Sequence, residues 1–381
     1  MKSEKENANP LRRLEALGQS VWLDYIRRDL IDSGGLARLV REDGVRGVTS
    51  NPSIFEKAIS GSRDYAGLIA GASRQGRGAK AVYEELAIRD IRDAADILRA
   101  VHAESGARDG FVSLEVSPAL ANDTEGTVEE ARRLWREVGR PNLMIKVPGT
   151  PAGIPAIRRL IGDGINVNVT LLFARAAYQQ AAEAYISGLE ALAAHGGSLN
   201  GVASVASFFV SRIDTAIDVE LERKMAAAAG SGHAGLASLR GRAAIANAKL
   251  AYRIYRDIVA GARWGALAAK GAQPQRLLWA STSTKNPDYR DVIYVEELVG
   301  RDTVNTLPPA TLDAFRDHGR ARESLVEDEK AAEQLLTDLE RHGVSVAAVT
   351  DRLLDEGVKL FAESFDKLLA AVAAEAGSGK A

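Results

Sequence analysis

Short β-rich runs alternate with longer segments of helical periodicity along nearly the whole chain, and this alternation limits the folds open to it. It is typical of parallel strands joined by crossover helices, because parallel neighbours need a long connection. The β-rich runs begin near Val21, Val45, Phe111, Leu143, Ile165, Val202, Leu277 and Thr303. Eight such runs favour a closed barrel over an open doubly wound sheet.

The rhythm of strands and helices predicts one domain with additions at its ends. We expect an N-terminal helical extension at 1–20, the barrel at 21–321 and C-terminal helices with a frayed tail at 322–381, packed on the barrel. A segment rich in Ala, Gly and Ser at about 226–241 is interpreted as a surface loop inserted in the barrel. The predicted fold class is α/β, a single (β/α)8 TIM barrel with an extra N-terminal helix and C-terminal helices.

The composition excludes several classes of function. A net charge of -2 gives no attraction to nucleic acid or to an anionic membrane. Cysteine is absent and the five histidines are widely scattered, which excludes disulfides, thiolate catalysis and most zinc sites. No set of residues has the spacing of metal ligands, so we predict no metal site. No apolar run approaches a bilayer span, and the N-terminal MKSEKENANP lacks the apolar core of a signal peptide. We therefore expect a cytoplasmic protein without nucleic-acid or membrane partners.

One lysine lies inside a predicted strand. Period-two alternation puts Leu143, Ile145 and Val147 on one face of this strand, and Met144 with Lys146 on the other. The apolar face should meet the helices, so Lys146 points into the barrel near the carboxyl end of its strand, where barrel enzymes carry out chemistry. An inward lysine could instead be a structural ion-pair partner, but buried lysines are rare.

The same alternation puts other polar side chains on the inner face. These are the carboxylates Asp24 and Glu115 and the neutral residues Ser113, Asn166, Asn168 and Thr170. Asn51 and Ser207 end two further strands, although the parity of the second is ambiguous. A desolvated lysine can supply a neutral amine for attack on a carbonyl, and two carboxylates can serve as acid and base. The pattern therefore indicates a site for a carbonyl substrate.

Five stretches resemble the successive signatures of the transaldolase family, and they occur in the family's order. They are WLD at 22–24, GVTSNPSI at 47–54, SLEV at 113–116, MIKVP at 144–148 and GINVNVTLLF at 164–173. The resemblance runs from about residue 21 to about residue 315 and is to the longer bacterial type. It implies a cofactor-free enzyme of the non-oxidative pentose phosphate pathway. Such an enzyme moves a dihydroxyacetone unit from sedoheptulose 7-phosphate or fructose 6-phosphate to glyceraldehyde 3-phosphate or erythrose 4-phosphate.

The resemblance also implies roles for individual residues. Lys146 would form a Schiff base with the ketose, Asp24 would take the hydroxyl proton during cleavage, and Glu115 would shuttle protons through a water. The dihydroxyacetone portion or the catalytic water would be bound by Asn51, Asn168, Thr170 and Ser207.

The phosphate end of the substrate needs cations. Arg212 matches the phosphate-binding arginine of the family, and Ser281 follows the seventh predicted strand. Many transaldolases carry an arginine soon after that serine, whereas this chain has Lys285 two residues beyond Ser283. A lysine supplies a point charge instead of a bidentate fork, which leaves the second phosphate contact open.

Other functions are compatible with parts of this pattern. A fructose-6-phosphate aldolase would release the three-carbon unit to water, but those relatives are shorter and carry Gln in place of Glu115 and Tyr in place of Phe209. A non-catalytic sugar-phosphate-binding barrel would not need an inward lysine between two carboxylates. A helical scaffold protein would leave the polar strand ends unexplained. The sequence allows either a monomer or a homodimer.

Overall fold

The predicted strands close into a barrel in a computed structural model, which describes residues 9–62, 64–227 and 231–378. The strands are β1 (Gln19–Leu23), β2 (Val45–Val48), β3 (Phe111–Glu115), β4 (Leu143–Pro148), β5 (Val167–Leu172), β6 (Ser204–Phe209), β7 (Arg276–Ala280) and β8 (Thr303–Leu307). Each strand pairs in parallel with the next, and β8 pairs with β1. The expected (β/α)8 barrel is confirmed, and each strand begins within two residues of its predicted start.

Helices connect the strands and surround the barrel. They are α1 (Pro10–Ala16), α2 (Arg28–Asp32), α3 (Gly35–Asp43), α4 (Pro52–Ser60), α5 (Ala66–Arg74), α6 (Ala79–Ile97), α7 (Arg99–Glu104), α8 (Thr124–Val138), α9 (Gly153–Gly162), α10 (Arg175–Ala194), α11 (Ser211–Ala227), α12 (Ser231–Ala237), α13 (Ala243–Ala260), α14 (Ala262–Ala268), α15 (Ile293–Glu296), α16 (Pro309–His318), α17 (Glu329–Arg341) and α18 (Val346–Ser378), with a 3-10 turn at Pro118–Leu120. None of the helices in the described ranges has both the length and the apolar character needed to cross a membrane.

The segment at about 226–241 is not a loop throughout, so that expectation is wrong in part. Residues 231–237 form α12, while 228–230 lie outside the described residues. Two leucines on this segment, Leu236 and Leu239, are buried. The many glycines and serines of the segment have low helix propensity and therefore favoured a loop. Burial of the leucines stabilises a short helix, because packing of an apolar face outweighs intrinsic propensity.

A buried ionic network closes the barrel at the amino ends of its strands. Arg276 at the start of β7 donates hydrogen bonds to Ser20 Oγ at 2.8 Å and to Asp109 Oδ1 at 2.9 Å. The Asp109 carboxylate also accepts from Ser20 Oγ at 2.6 Å and from Trp22 Nε1 at 3.0 Å. Arg276 and Asp109 are thus paired with each other at this end of the barrel. In barrels of this type functional sites lie at the opposite end, where the strands have their carboxyl ends.

The long C-terminal helix α18 lies across the carboxyl ends of the strands. Its 33 residues present a buried face that includes Val349, Leu368 and Val372. At Gly357 the helix comes so close to the barrel that an added Cβ would lie 2.9 Å from Leu171 Cδ2 on β5. The helix therefore covers the mouth of the barrel.

A tight contact inside the barrel generates a stability prediction. Gly47 on β2 pairs with Trp22 on β1, and a Cβ added at Gly47 would lie 2.5 Å from two atoms of the buried indole ring. Gly47→Ala should lower the free energy of unfolding by about 1–3 kcal/mol, because a rigid ring in a packed interior cannot move away.

The matched control is Gly67→Ala on α5, where an added Cβ meets no atom within 4 Å. This variant should be neutral or more stable by up to about 1 kcal/mol, because alanine favours a helix. Urea unfolding followed by circular dichroism measures both variants. Equal stability of the Gly47 variant and the parent would contradict the packing argument.

Candidate active site

Lys146 and Glu115 meet at the centre of the barrel mouth. They occupy paired positions on the neighbouring strands β4 and β3, so their side chains leave the sheet side by side. Lys146 Nζ lies 3.4 Å from Glu115 Oε2 and donates a hydrogen bond to the Ser50 carbonyl oxygen at 3.2 Å. Lys146 is 5% exposed and Glu115 8% exposed. The structure thus brings together the lysine and one carboxylate that the alternation pointed inward.

Asp24 directly follows β1 and is held by a chain of hydroxyl groups. Thr49 Oγ1 donates to Asp24 Oδ1 at 2.6 Å and lies 2.7 Å from Thr306 Oγ1. The Asp24 backbone nitrogen donates to the Leu307 carbonyl oxygen at 2.8 Å. These contacts fix the second carboxylate at the junction of β1, β2 and β8.

Both carboxylates are harder to ionise than ordinary acidic side chains. Burial raises the pKa of Asp24, although the Lys146 charge and the Thr49 hydrogen bond act in the opposite direction. Burial also raises the pKa of Glu115; the Lys146 charge opposes this shift, and the Asp24 charge adds to it. A lysine beside two such groups is suited to a reaction in which an amine attacks a carbonyl and protons are transferred at nearby atoms.

Neutral side chains line the next sector of the mouth. Asn168 on β5 donates from Nδ2 to Ser113 Oγ at 3.0 Å and accepts at Oδ1 from Ser207 Oγ at 2.7 Å. Ser207 therefore faces the interior, which resolves the ambiguous parity of its strand. The Thr170 hydroxyl is buried and makes no hydrogen bond within the described residues. An unpaired buried hydroxyl is available to a substrate or a water.

Two of the predicted polar residues also have structural contacts. Asn51 Oδ1 accepts from the Ile54 backbone nitrogen at 3.0 Å, which caps α4 and orients the amide at the end of β2. Asn166 donates to the Pro141 and Leu143 carbonyl oxygens, both at 3.0 Å, and accepts from the Ala203 nitrogen. Asn166 thus connects the chain just before β4 and β6, at the end of the barrel away from Lys146.

The predicted phosphate residues lie on neighbouring elements. Arg212 is the second residue of α11, and its guanidinium lies 5.6 Å from the centre of the Phe209 ring. Ser281 follows β7 with a φ of 56°, a left-handed conformation that is rare for a non-glycine residue. Its Oγ lies 2.9 Å from Ser211 Oγ, beside Arg212 in the chain. Strain of this kind is often found at ligand sites.

Lys285 belongs to the same cationic cluster. Burial lowers the pKa of Lys285, and the charges of Arg212 and Lys57 lower it further. Its Nζ donates to Ser283 Oγ at 2.6 Å. Cations from α4, α11 and the segment after β7 therefore repel one another, and the Glu356 carboxylate on α18 opposes the shift only at Arg212. Such a cluster favours binding of an anion such as phosphate.

Sequence reasoning missed three contributors to this site. Thr49 could have been found, since it lies at the end of β2 beside Asn51. Lys57 looks like any exposed helix residue. Phe361 on α18 lies with its ring centre 5.6 Å from Lys146 Nζ, and no local pattern signals a contact across 215 positions of the chain.

Comparisons with known proteins agree with the geometry. The model of the family described as Transaldolase/Fructose-6-phosphate aldolase matches residues 21–372. A protein named Transaldolase from Thiobacillus denitrificans is 51% identical over 364 residues, which cover 96% of this chain and 99% of the relative. One from Trichodesmium erythraeum is 48% identical over 365 residues, covering 95% and 96%. Transaldolase 1 from Streptomyces coelicolor is 49% identical over 366 residues, covering 96% and 94%. The similarity thus includes the barrel and most of α18.

The hydroxyl chain at Asp24 predicts the effect of one substitution. Thr49→Val removes the hydrogen bond that stabilises the ionised Asp24 carboxylate, so the pKa of Asp24 should rise further. A titration followed by carbon-13 NMR, with labelled aspartate, measures this change. Thr306→Val is the control, because it removes only the partner of Thr49 and should move the Asp24 pKa less. A lower Asp24 pKa in the Thr49 variant would show that the hydrogen bond does not favour the ionised form.

Proposed function

The chain belongs to the transaldolase/fructose-6-phosphate aldolase family, and we propose on this premise that it transfers a dihydroxyacetone unit between sugar phosphates through a Schiff base on Lys146. The observation that carries the proposal is the buried Lys146 amine, 3.4 Å from Glu115 at the barrel mouth. Sedoheptulose 7-phosphate or fructose 6-phosphate would be the donor, and glyceraldehyde 3-phosphate or erythrose 4-phosphate the acceptor. These substrates belong to the non-oxidative pentose phosphate pathway.

The reaction would begin with attack of the neutral Lys146 amine on the C2 carbonyl of the ketose. Glu115 would supply the proton with which the carbinolamine loses water, leaving an iminium ion. The raised pKa of Glu115 supports this role, because a carboxyl group that keeps its proton more readily can donate it. The iminium nitrogen then serves as the electron sink, so the reaction needs no metal or cofactor.

Cleavage would depend on Asp24 as a base. Its carboxylate would take the proton of the C4 hydroxyl, the C3–C4 bond would break, and the bonding electrons would move to the iminium nitrogen to give an enamine on Lys146. An aldose phosphate leaves at this point. The enamine carbon then attacks the aldehyde of the acceptor, Asp24 returns its proton to the new hydroxyl group, and Glu115 assists hydrolysis of the product imine through a water.

The remaining polar residues would hold the substrate in register. Asn51, Asn168, Thr170 and Ser207 would bind the dihydroxyacetone portion or the catalytic water. Arg212, Ser281 and Lys285 would bind the phosphate, and the repulsion between the Lys285 and Arg212 charges supports this assignment. A phosphate would relieve that repulsion, so binding of the remote end of the sugar would favour the reacting geometry.

Transfer is favoured over release to water by two residues. Glu115 stands where the aldolases of the family carry Gln, and Phe209 stands where they carry Tyr. Phe209 is buried against Phe173, with ring centres 5.0 Å apart. Unlike a tyrosine, it has no hydroxyl group that could bind a water. We further propose that the enzyme acts in the cytoplasm, because its substrates are phosphorylated metabolites that do not cross membranes unaided. It would act there as a monomer or a homodimer.

Borohydride trapping tests the Schiff base. Incubation with fructose 6-phosphate and borohydride should reduce the iminium to a secondary amine and leave a dihydroxyacetone-sized adduct on the peptide that contains Lys146. Lys146→Arg should abolish both the adduct and transfer to erythrose 4-phosphate, because a guanidinium supplies no neutral amine. Mass spectrometry of the digested protein locates the adduct.

Lys249 provides the matched control for this experiment. It is also buried, and burial lowers its pKa, but its Nζ donates to the Glu327 carbonyl oxygen away from the barrel mouth. Lys249→Arg should keep both trapping and transfer. An adduct on Lys249, or full activity of Lys146→Arg, would overturn the proposed mechanism.

The phosphate site has a separate test. Arg212→Ala should raise KM for fructose 6-phosphate by about ten- to hundredfold, since one charge-assisted hydrogen bond is worth roughly 1.5–3 kcal/mol. Trapping of unphosphorylated dihydroxyacetone on Lys146 should change little, because the arginine acts at the remote end of the substrate. An equal loss with both ligands would remove Arg212 from the phosphate site. Arg158→Ala on the surface of α9 controls for the loss of a positive charge.

A further inference from the structure

We propose that Phe361 on the C-terminal helix α18 determines whether the bound three-carbon unit is transferred or released, by keeping water away from the enamine on Lys146 until the acceptor binds. This inference rests on the proposed function and assigns the specificity of that reaction to a residue outside the barrel. The Phe361 ring centre lies 5.6 Å from Lys146 Nζ, on a helix that crosses the barrel mouth.

The cover over Lys146 is close to complete. Lys146 has a side chain that is 7% exposed and Glu115 one that is 4% exposed. Lys146 Nζ contacts the Ser50 carbonyl oxygen and Glu115 Oε2 and interacts with the Asp24 charge, whereas Phe361 supplies an apolar ring face. An aromatic face within about 6 Å of a cation also stabilises positive charge. Phe361 can therefore support the iminium ion without giving a water a hydrogen-bonding partner.

The position of Phe361 is set by contacts one turn away on each side. A Cβ added at Gly357 would lie 2.9 Å from Leu171 Cδ2, so this contact sets the distance between the helix and the end of β5. Phe365 meets Tyr83 edge to face with ring centres 5.6 Å apart. Residues 357, 361 and 365 lie on one face of α18, because residues four apart in a helix share a face. The ring over Lys146 is thus held by rigid neighbours.

The aromatic contacts continue away from the mouth. Tyr83 on α6 packs against Phe55 on α4 with ring centres 5.6 Å apart and an interplanar angle of 74°. Leu368 and Val372, further along α18, are fully buried. Apolar contacts therefore hold the second half of the helix. The aromatic residues Phe365 and Phe361 extend these contacts toward Lys146.

The first partner of the enamine carbon, a proton or the acceptor aldehyde, decides the fate of the three-carbon unit. In transfer, the enamine carbon forms a bond to the acceptor aldehyde. In release, the enamine carbon instead takes a proton to give an imine, and water adds to the C=N carbon. The C–N bond then breaks, with the electrons returning to Lys146 Nζ, and free dihydroxyacetone leaves. Hydrolysis of the imine by water also ends the transfer route, so the two routes differ only at the enamine carbon. Keeping water, which can bring the competing proton, away from the enamine until the acceptor has bound therefore suppresses only release.

The partition between the two products tests the role of Phe361. With fructose 6-phosphate as donor and erythrose 4-phosphate as acceptor, the measured quantity is the ratio of free dihydroxyacetone to sedoheptulose 7-phosphate. Phe361→Ala should raise this ratio by about tenfold or more, because it opens the cover to water. Phe361→Leu keeps an apolar cover and should leave the ratio within about twofold of the parent.

Two further variants keep the test decisive. Leu360→Ala alters the neighbouring residue on α18, which is 45% exposed, and should leave the ratio unchanged. Phe361→Gln keeps the side-chain length but brings a polar group to the amine, so it should raise the ratio even if the alanine variant does not fold. Thermal unfolding monitors the fold of every variant.

The outcomes separate this inference from the proposed function. If the parent forms the Lys146 adduct and transfers normally, but the Ala and Gln variants keep the parent ratio, Phe361 does not exclude water and the inference is wrong. An equal rise in Leu360→Ala would also overturn it, since loosening of the helix would then be the cause. A parent that forms no adduct on Lys146 would overturn the proposed function, and this inference with it.

Discussion

The contact between Lys146 and Glu115 in the closed interior of the barrel is the interaction on which the rest of the structure depends. Removing an ion from water costs several kcal/mol even in a real protein interior, and here a lysine and two carboxylates share one small space. The Lys146 charge opposes the shifts that burial imposes on both acids. Hydrogen bonds from Thr49 to Asp24 and from Lys146 to the Ser50 carbonyl reduce the cost further. The large apolar shell between strands and helices has to compensate for what is left.

The two ends of the barrel contain similar chemical groups but differ in how these groups are paired. At the amino ends, Arg276 and Asp109 are hydrogen-bonded to each other and to Ser20, so the charges are neutralised within the protein. At the carboxyl ends, the Thr170 hydroxyl is buried without a partner, and Glu115 Oε2 has an ion contact but no hydrogen bond. Satisfied polar networks make an interior rigid, whereas unsatisfied ones offer a ligand the hydrogen bonds that it needs. Gln19 Oε1 and Gln275 Oε1 at the amino ends are also buried without a hydrogen-bond partner, so the two ends differ in their charged groups. Arg276 and Asp109 are paired within the protein, whereas Lys146 and the carboxylates at the other end can act on a ligand.

The C-terminal helix adds what a barrel alone does not supply, namely an apolar cover over the Lys146 nitrogen. The side chains that line a barrel mouth come from strand ends and loops, and in this chain they are mostly polar. Phe361 belongs to the last helix and lies near Lys146. The close approach of Gly357 to Leu171 allows this helix to pass directly over the end of β5. A covered amine next to two buried carboxylates is a low-dielectric site, in which electrostatic effects on a transition state are larger than in water.

The sequence by itself determined the barrel and the inward direction of Lys146 and Glu115, because strand periodicity is local and parallel strands bring their carboxyl ends to one edge. It did not determine the α12 helix, since the burial of Leu236 that stabilises it depends on residues elsewhere in the chain. Only the tertiary structure decided that Glu115 and Lys146 occupy paired positions, that Lys57 lies near Lys285 and that Phe361 covers the amine. The physical reason is that strand register and helix packing depend on contacts between segments far apart in the chain. Such contacts produce no periodic pattern in the sequence of either segment.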